Sequence, residues 1–167
     1  MKNLYIRPIK LSDVDNIMTW VNDPEVVKNL QHFNKQFTKK DEEIYVKKLI
    51  KSKNDFVFSI FLKNGGGYVG HCGIHQISWE NKLGRLSIII KREHWGKNYA
   101  KEAIPLILRF AFNRLKLHKV WLMRWRTNKK ARHLYKKLGF KEECVLRDEY
   151  FWKGKYHDMI RMAIQKK

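Results

Sequence analysis

The feature that most constrains the fold is an apolar strand that runs through a short turn into a long helix. Residues 85–91, written RLSIIIK, have the β-branched composition of a buried strand, and residues 100–115 carry apolar side chains at helical spacing. Between them lies WGKNYA, residues 95–100. A helix that follows a buried strand this closely packs back against the sheet that holds the strand. The chain is therefore predicted to be a layered α/β protein.

The rest of the 167 residues divides into further strands and helices, without a linker or an internal repeat. Strands are expected at residues 4–8, 56–63, 68–78 and 119–125, and two more meet at a turn at residues 153–155. Helices are expected to begin at the capping pair Ser12/Asp15, at Pro24, at the capping pair Thr38/Asp41 and at Asn128. The first helix is expected to reach Val21. The predicted fold class is α/β (α+β): one domain over residues 1–167, with a mixed sheet and helices on both faces.

The composition is that of a globular protein. Hydrophobic residues make up 44% of the chain and aromatic residues 13%, which is enough for a core. No apolar run reaches the roughly 20 residues that a membrane span requires, and the first residues lack the pattern of a secretory signal. Cys72 and Cys144 belong to no metal-binding or disulfide pattern. We expect a cytoplasmic protein with no metal and no membrane partner.

The net charge of +20, from 36 basic and 16 acidic residues, favours anionic partners in general. The basic residues include 26 lysines, which are scattered or paired rather than clustered. No arginine-rich block and no aromatic reader motif accompanies them, so specific nucleic-acid binding is not predicted. A lysine-rich, solvated surface is the simpler interpretation.

The WGKNYA turn has two interpretations from spacing alone. Backbone amides at the start of a helix point toward one place, where the helix dipole adds partial positive charge and can hold a phosphate. Lys97 and Lys101 would reinforce such a site. The pattern is not that of a P-loop or of a dinucleotide-binding fold, which require GxxxxGK[ST] and GxGxxG. An ordinary strand-to-helix connection is the other interpretation.

A second motif, TNKKARHLYKKLGF, places Asn128 and Tyr135 two helical turns apart on one face of a helix. With WGKNYA, the Glu102-Ala103 pair that follows it, the GKYHD of the last hairpin and the opening RPIKLSDVDNIMTWVND, this motif completes a pattern. The chain resembles the Gcn5-related N-acetyltransferases, in particular the branch of ribosomal-protein-alanine and spermidine acetyltransferases. The resemblance covers nearly the whole chain.

The resemblance implies a mostly antiparallel sheet that splays at an acyl-CoA site, and acetyl transfer from acetyl-CoA to a primary amine. The strand edge would pair with the pantetheine amides, the turn would hold the pyrophosphate, and Tyr135 would be the general acid for the leaving thiolate. Asn128 would bind the pantetheine arm. The implied cofactor-binding residues are Ile88, Ile89, Ile90, Trp95, Gly96, Lys97, Asn98, Tyr99, Ala100, Lys101, Asn128, Ala131, Tyr135 and Lys137.

Two residues depart from the pattern of this branch. Asn98 stands where many members have glycine; asparagine tolerates left-handed backbone angles, although cofactor binding could be weakened. Arg85 stands where the branch commonly has glutamate, and arginine cannot act as a base. It either binds an anionic group of the acceptor or is a solvent-facing strand residue.

Candidate acceptor-binding residues are Arg85, Trp20, Phe33, His75 and Trp152. His71 and His75 share a strand face, so either could be a base through water, or both could be structural.

Trp121 and Trp125 are predicted to be core residues, and His94 is predicted to be exposed. The acceptor is expected to be a small amine or amino sugar, possibly anionic. An alternative acceptor is the N-terminus of a protein, and an alternative function is that of an inactive CoA-binding relative. The protein is expected to be a monomer or a homodimer.

Overall fold

The computed structural model describes residues 3–28, 30 and 35–166. The strands within these residues form one mixed sheet in the order β1-β2-β3-β4-β5-β7-β6. Adjacent strands run antiparallel except β4 and β5, which run parallel. The strands are β1 (Leu4–Pro8), β2 (Phe56–Leu62), β3 (Tyr68–Ser78), β4 (Leu83–Ile90), β5 (Lys119–Trp125), β6 (Lys141–Trp152) and β7 (Lys155–Gln165).

The helices lie where the capping signals predict them, with one correction. They are α1 (Val14–Met18), α2 (Pro24–Val27), α3 (Lys39–Lys51), α4 (Tyr99–Arg109) and α5 (Lys129–Lys137). A 3-10 turn, Leu11–Asp13, precedes α1, and another, Arg92–His94, follows β4. The helix α4 continues as a π-helical segment, Phe110–Arg114, whose last residue adjoins the predicted end of the helix. No described helix is long and apolar enough to cross a membrane.

The predicted capping pair Ser12/Asp15 is wrong, and α1 ends before Val21. Asp13 takes the capping role instead, because its carboxylate accepts the Lys10 amide proton at 2.9 Å. The same carboxylate is buried and bonds to Arg7 of β1 at 2.6 Å and to Ser59 of β2 at 2.7 Å. Contacts between distant segments therefore fix the start of this helix.

Each face of the sheet is covered by its own helices. One face, here named the α4–α5 face, packs Ile74, Leu86 and Val120 against Ile104 and Ile107 of α4, with residues of α5 at the margin. The other, the α1–α3 face, packs Val57 and Phe61 against Val14 and Ile17 of α1 and against Val46 of α3. Helices on both faces of a mixed sheet confirm the predicted fold class.

The sheet splays between its two parallel strands. The described residues of β4 and β5 pair at Leu83↔Lys119, Gly84↔Val120 and Arg85↔Trp121, and at no position beyond. The rest of β4 continues to pair with β3, up to Gly70↔Ile90. The amide and carbonyl groups of β4 that face β5 are therefore left open at the carboxyl end of the strand, where α4 and α5 also begin.

Candidate active site

The turn between β4 and α4 contains two residues with left-handed backbone angles. Gly96 has a φ of 77° and Asn98 a φ of 63°, both in the left-handed region. Space around Gly96 is open, so conformation rather than crowding favours glycine there. Asn98 is the N-cap of α4, and the carbonyl of Asn98 accepts the Glu102 amide at 3.1 Å. Asparagine thus takes the left-handed angle that glycine would take, and the exposed Lys97 and Lys101 flank the turn.

Two aromatic residues fix the turn against the end of the sheet. The Trp95 indole N–H donates to the carbonyl of Ile90 at 2.8 Å. His94 does not lie exposed as predicted. Its ring is largely buried, 3.2 Å from the Tyr68 carbonyl and edge-on to Tyr99 at 5.7 Å. Both contacts hold the start of α4 beside the open edge of β4.

Asn128 is the N-cap of α5, the second of the two helices that begin at the splay. Its Oδ1 accepts the amide proton of Ala131 at 3.0 Å, and its side-chain amide N–H groups are the part that a ligand could use. Lys137 is the last residue of α5. At a rise of about 1.5 Å per residue it lies roughly 12 Å along the axis from the start of the helix. The predicted cofactor residues of α5 are therefore spread over its length.

Tyr135 lies half-buried on α5, packed edge-on against Phe140 at 5.6 Å. Burial raises the pKa of Tyr135 to about 12, against an opposite and smaller effect of the positive charge of Arg124. The phenol is therefore neutral at physiological pH, and a neutral phenol is the form that can donate a proton.

Arg124 and Glu142 are a charged pair behind Tyr135 that sequence reasoning missed. Arg124 is buried on the α4–α5 face, where its guanidinium bonds to the Glu142 carboxylate at 2.7 Å and to the Trp125 carbonyl at 3.1 Å. The alternation of β5 contained the signal. Val120 and Leu122 point into the same core, so Arg124 occupies an inward position.

The α1–α3 face beside the splay is positively charged. Arg85 lies opposite His75 of β3 and Trp121 of β5. The Trp121 ring lies between two guanidinium groups, that of Arg85 at 5.7 Å and that of Arg161 at 4.4 Å. Trp121 is therefore not the core residue that was predicted, since cation–π contacts place it between charged groups at a half-buried position. Trp125 is buried, as predicted.

Arg85 is itself half-buried. Burial lowers the pKa of Arg85, but a guanidinium remains charged at any physiological pH. On the neighbouring strands, the Glu143 carboxylate lies 3.4 Å from Arg161 and 2.9 Å from Lys119, so it is shared between two cations.

The remaining acceptor candidates lie in different places. Trp20 is 2% exposed, and its indole donates to the Tyr68 hydroxyl at 3.3 Å. It is a core residue, and its prediction as an acceptor contact is corrected by this burial. Phe33 lies outside the described residues. Trp152 is half-buried at the end of β6, where the hairpin extends beyond the end of β5.

The two histidines of β3 have different surroundings. His71 is buried against Trp20, with ring centroids 5.0 Å apart, and burial lowers the pKa of His71 to about 3. It is a neutral core residue. His75 is partly exposed and contacts Asp55 and Ser87. Neither partner was predicted, because each is far from His75 in sequence and has no motif around it.

Comparison with known proteins gives a consistent result. A family model described as an acetyltransferase (GNAT) domain matches residues 3–141. The spermidine N(1)-acetyltransferase of Vibrio cholerae is 36% identical over 124 residues, which are 74% of this chain and 70% of that protein. The uncharacterized N-acetyltransferase p20 of Bacillus licheniformis is 28% identical over 168 residues, covering 99% of this chain and 94% of that protein.

A solved structure extends the likeness to the fold. It is the spermidine N-acetyltransferase of Vibrio cholerae in complex with CoA and spermine, with a TM-score of 0.91 and 28% identity, covering 99% of this chain and 96% of that chain. The family match, the splayed parallel strands and the left-handed turn before α4 agree. The chain belongs to the GNAT family of N-acetyltransferases.

Proposed function

We propose that the protein transfers the acetyl group of acetyl-CoA to the primary amine of a small acceptor. The observation that carries this proposal is the parting of β4 and β5 after Arg85↔Trp121. The parting leaves a row of strand hydrogen-bonding groups open beside the starts of two helices. An extended amide-bearing arm can pair with such an edge as an added strand.

The residues at the open edge fit acetyl-CoA. Ile88, Ile89 and Ile90 would pair with the pantetheine amides, and the amides from Gly96 to Lys101 would bind the pyrophosphate at the start of α4. The side-chain N–H groups of Asn128 would hold the pantetheine arm from α5. When bound, acetyl-CoA supplies a thioester carbonyl, and an open β4 amide would stabilise negative charge on its oxygen.

Tyr135 is proposed as the general acid. A hydroxyl within reach of the leaving sulfur would donate its proton as the thiolate forms. The burial that keeps the phenol neutral also disfavours an unprotonated thiolate in the same surroundings. Proton donation would relieve the thiolate, and the proton that the amine loses on becoming an amide would restore the phenol.

The acceptor is proposed to carry an anionic group beside its amine. The guanidinium groups of Arg85 and Arg161 lie on the α1–α3 face next to the splay, and arginine binds carboxylate or phosphate in a bidentate manner. A polyamine is the second candidate, favoured by the likeness to the Vibrio cholerae spermidine acetyltransferase. A protein N-terminus is a third, from the branch that the sequence resembles.

The test of the donor is thermal unfolding with acetyl-CoA. At a hundredfold excess over Kd, binding adds about 2.7 kcal/mol, which raises the Tm by roughly 5–10 °C for a chain of this size. An unchanged Tm at saturating acetyl-CoA would contradict the donor assignment.

The test of the acceptor is CoA release with glucosamine 6-phosphate, spermidine and a short peptide as separate substrates. We expect activity on the anionic amino sugar, and an Arg85→Gln change should raise its KM at least about tenfold, from the loss of a charge-assisted hydrogen bond. Arg114→Gln, at an exposed position, is the matched control. Activity on spermidine alone would refute the anionic acceptor and support the second candidate.

A further inference from the structure

His75 connects two side chains from other strands and loops into one hydrogen-bonded chain. Its Nδ1 lies 3.1 Å from Oδ1 of Asp55, and its Nε2 lies 2.8 Å from Oγ of Ser87. Asp55 is held in turn by the Ser52 hydroxyl at 2.7 Å and by the Gln76 amide at 3.3 Å. Both ring nitrogens therefore have partners, and the carboxylate at the end of the chain has a fixed orientation.

A glycine makes this arrangement possible. Gly73 is the cross-strand partner of Ser87. A Cβ atom at Gly73 would lie 2.9 Å from Nε2 of His75 and 3.0 Å from Cγ2 of Val57. Because no side chain stands there, the imidazole can lie over the strand backbone and reach Ser87.

This hydrogen-bonded chain of side chains ends at the splay. Ser87 lies on the same side of β4 as Arg85, the last residue that pairs with β5, and two residues beyond it, on the open part of the strand. Tyr135 packs with the core on the opposite face of the sheet. A base for the amine and an acid for the sulfur would therefore act from opposite sides of the splay.

The groups around His75 leave the Asp55 carboxylate charged and the imidazole neutral. Burial alone would raise the pKa of Asp55, but hydrogen bonds from Ser52 and Gln76 and the effect of His75 lower it, so the carboxylate is ionised. For His75, burial lowers the pKa and Asp55 raises it, while Arg85 lowers it further, with a net decrease.

Two other titratable groups near Asp55 and His75 are uncharged. His71, on the same face of β3, is neutral, and Tyr45 of α3, which faces Asp55, has a raised pKa chiefly from burial. The imidazole is thus neutral at physiological pH. Its side chain is 18% exposed and that of Asp55 29%, which gives a proton a path to solvent.

We propose that Asp55, His75 and Ser87 form a proton relay that deprotonates the acceptor amine, with Ser87 touching the substrate and His75 and Asp55 acting through it. This proposal rests on the proposed acetyltransferase function. Ser87 Oγ takes one proton from R–NH3⁺ and gives its own proton to Nε2 of His75, and Asp55 stabilises the imidazolium through the Nδ1–H. The proton then leaves to solvent.

The remaining protons balance in the transfer itself. The amine nitrogen forms its bond to the acetyl carbon as the carbon–sulfur bond breaks, and the sulfur takes the proton of Tyr135. The proton that the nitrogen loses on becoming an amide restores the phenol. The net change is R–NH3⁺ plus acetyl-CoA to the N-acetyl product, free CoA and one proton.

The first test is the pH profile of kcat/KM for His75→Gln and Ser87→Ala, with glucosamine 6-phosphate or spermidine, whichever the natural protein acetylates. A general base contributes about 10²-fold or more, so we expect a loss of at least that size at pH 7. The loss should shrink to a few-fold as the pH approaches the pKa of the free amine, because the amine then deprotonates without help. A loss that is equal at every pH, or no loss, would overturn the relay.

Two glycine substitutions distinguish displacement of the His75 ring from a general loss of folding. Gly73→Ala removes none of the titrating groups but displaces the imidazole of His75 from Ser87, and it should reproduce the pH-dependent loss. Gly67→Ala is the matched control, since its Cβ would meet only Leu62 at an ordinary 3.5 Å. Each variant should keep the Tm increase with acetyl-CoA, which shows an intact fold and donor site. If Gly73→Ala shows no loss that depends on pH, the relay is refuted.

The second test does not depend on activity. NMR of protein labelled with ¹⁵N-histidine should show His75 protonated at Nδ1 and accepting a hydrogen bond at Nε2. The Asp55→Asn change should lower the pKa of His75, because the carboxylate raises it. A proton on Nε2 in the natural protein at neutral pH would overturn the relay even if the enzyme is active. If none of the tested amines is acetylated while the NMR result holds, the acceptor assignment fails and the hydrogen-bonded chain stands.

Discussion

The Tyr135→Phe change is the sharpest test of the general-acid assignment, because it removes one hydroxyl from a defined environment. The ring keeps its edge-on contact with Phe140 at 5.6 Å, so packing is retained. Without the proton donor, kcat should fall by about 10²–10⁴, while the Kd for acetyl-CoA should change less than about threefold. Burial raises the pKa of Tyr135 to about 12. The phenol therefore stays protonated throughout the usual assay range, and the natural enzyme should show no alkaline decline from Tyr135 below about pH 10.

The assay is CoA release against pH, combined with calorimetric titration of acetyl-CoA. Tyr5→Phe is a matched control, since Tyr5 also packs against an aromatic ring, that of Phe61 at 5.6 Å, but lies on the edge strand β1 away from the splay, and it should keep kcat within a few-fold. Full turnover in Tyr135→Phe would refute the acid role. A large loss of acetyl-CoA affinity with unchanged kcat would make Tyr135 a binding residue instead.

Two further predictions concern the free energy of unfolding. Asp13→Asn should lower the free energy of unfolding, measured by urea denaturation, by about 3 kcal/mol. This is the lower end of the range for breaking a buried ion pair, because Arg7 is 29% exposed. Glu25→Gln, in the exposed pair with Lys28, is the control and should change the free energy of unfolding little. Burial would raise the pKa of Asp13, but hydrogen bonds from Arg7, Lys10 and Ser59 give a net decrease. Its contribution is therefore fully present above the unfolded pKa of about 3.9 and is lost as the pH falls through the folded pKa; a natural protein no less stable in acid than Asp13→Asn would contradict this. Asn98→Ala should lower the free energy of unfolding by about 1 kcal/mol, because alanine is strained at a φ of 63°. Asn98→Gly should not lower it, because glycine adopts this angle without strain. Equal Tm values for the two variants would refute the strain.

The elements that could be predicted from sequence are those with strong local signals. The bounds of β5 match the alternating run at residues 119–125, and α5 begins after Asn128 because an asparagine side chain satisfies the amide of Ala131. The left-handed angle at Asn98 also follows from local chemistry. These features depend on neighbours a few residues away, which a sequence displays directly.

The features that failed or were missed depend on contacts between distant segments. Ser12 has the local pattern of a cap, but Asp13 takes the capping role because Arg7 of β1 and Ser59 of β2 donate hydrogen bonds to its carboxylate. Trp20 looks like a pocket residue by type, yet it packs beneath α1 with 2% exposure. Trp121 looks like core until Arg161, from the last strand, is placed on its ring. No local pattern contains these pairings.

The alternation of β4 is what separates the two proton-transfer roles. Leu86 and Ile88 point toward the α4–α5 face with Tyr135, whereas Arg85 and Ser87 point toward the α1–α3 face. A shift of register by one residue would exchange the two sets and bring Ser87 into the apolar core. In the observed register Gly73 lies opposite Ser87, and the absence of a side chain at Gly73 admits the ring of His75. Substitution of this glycine therefore tests the position of the imidazole without removing any group of the proposed relay, which makes it more informative than loss of either partner.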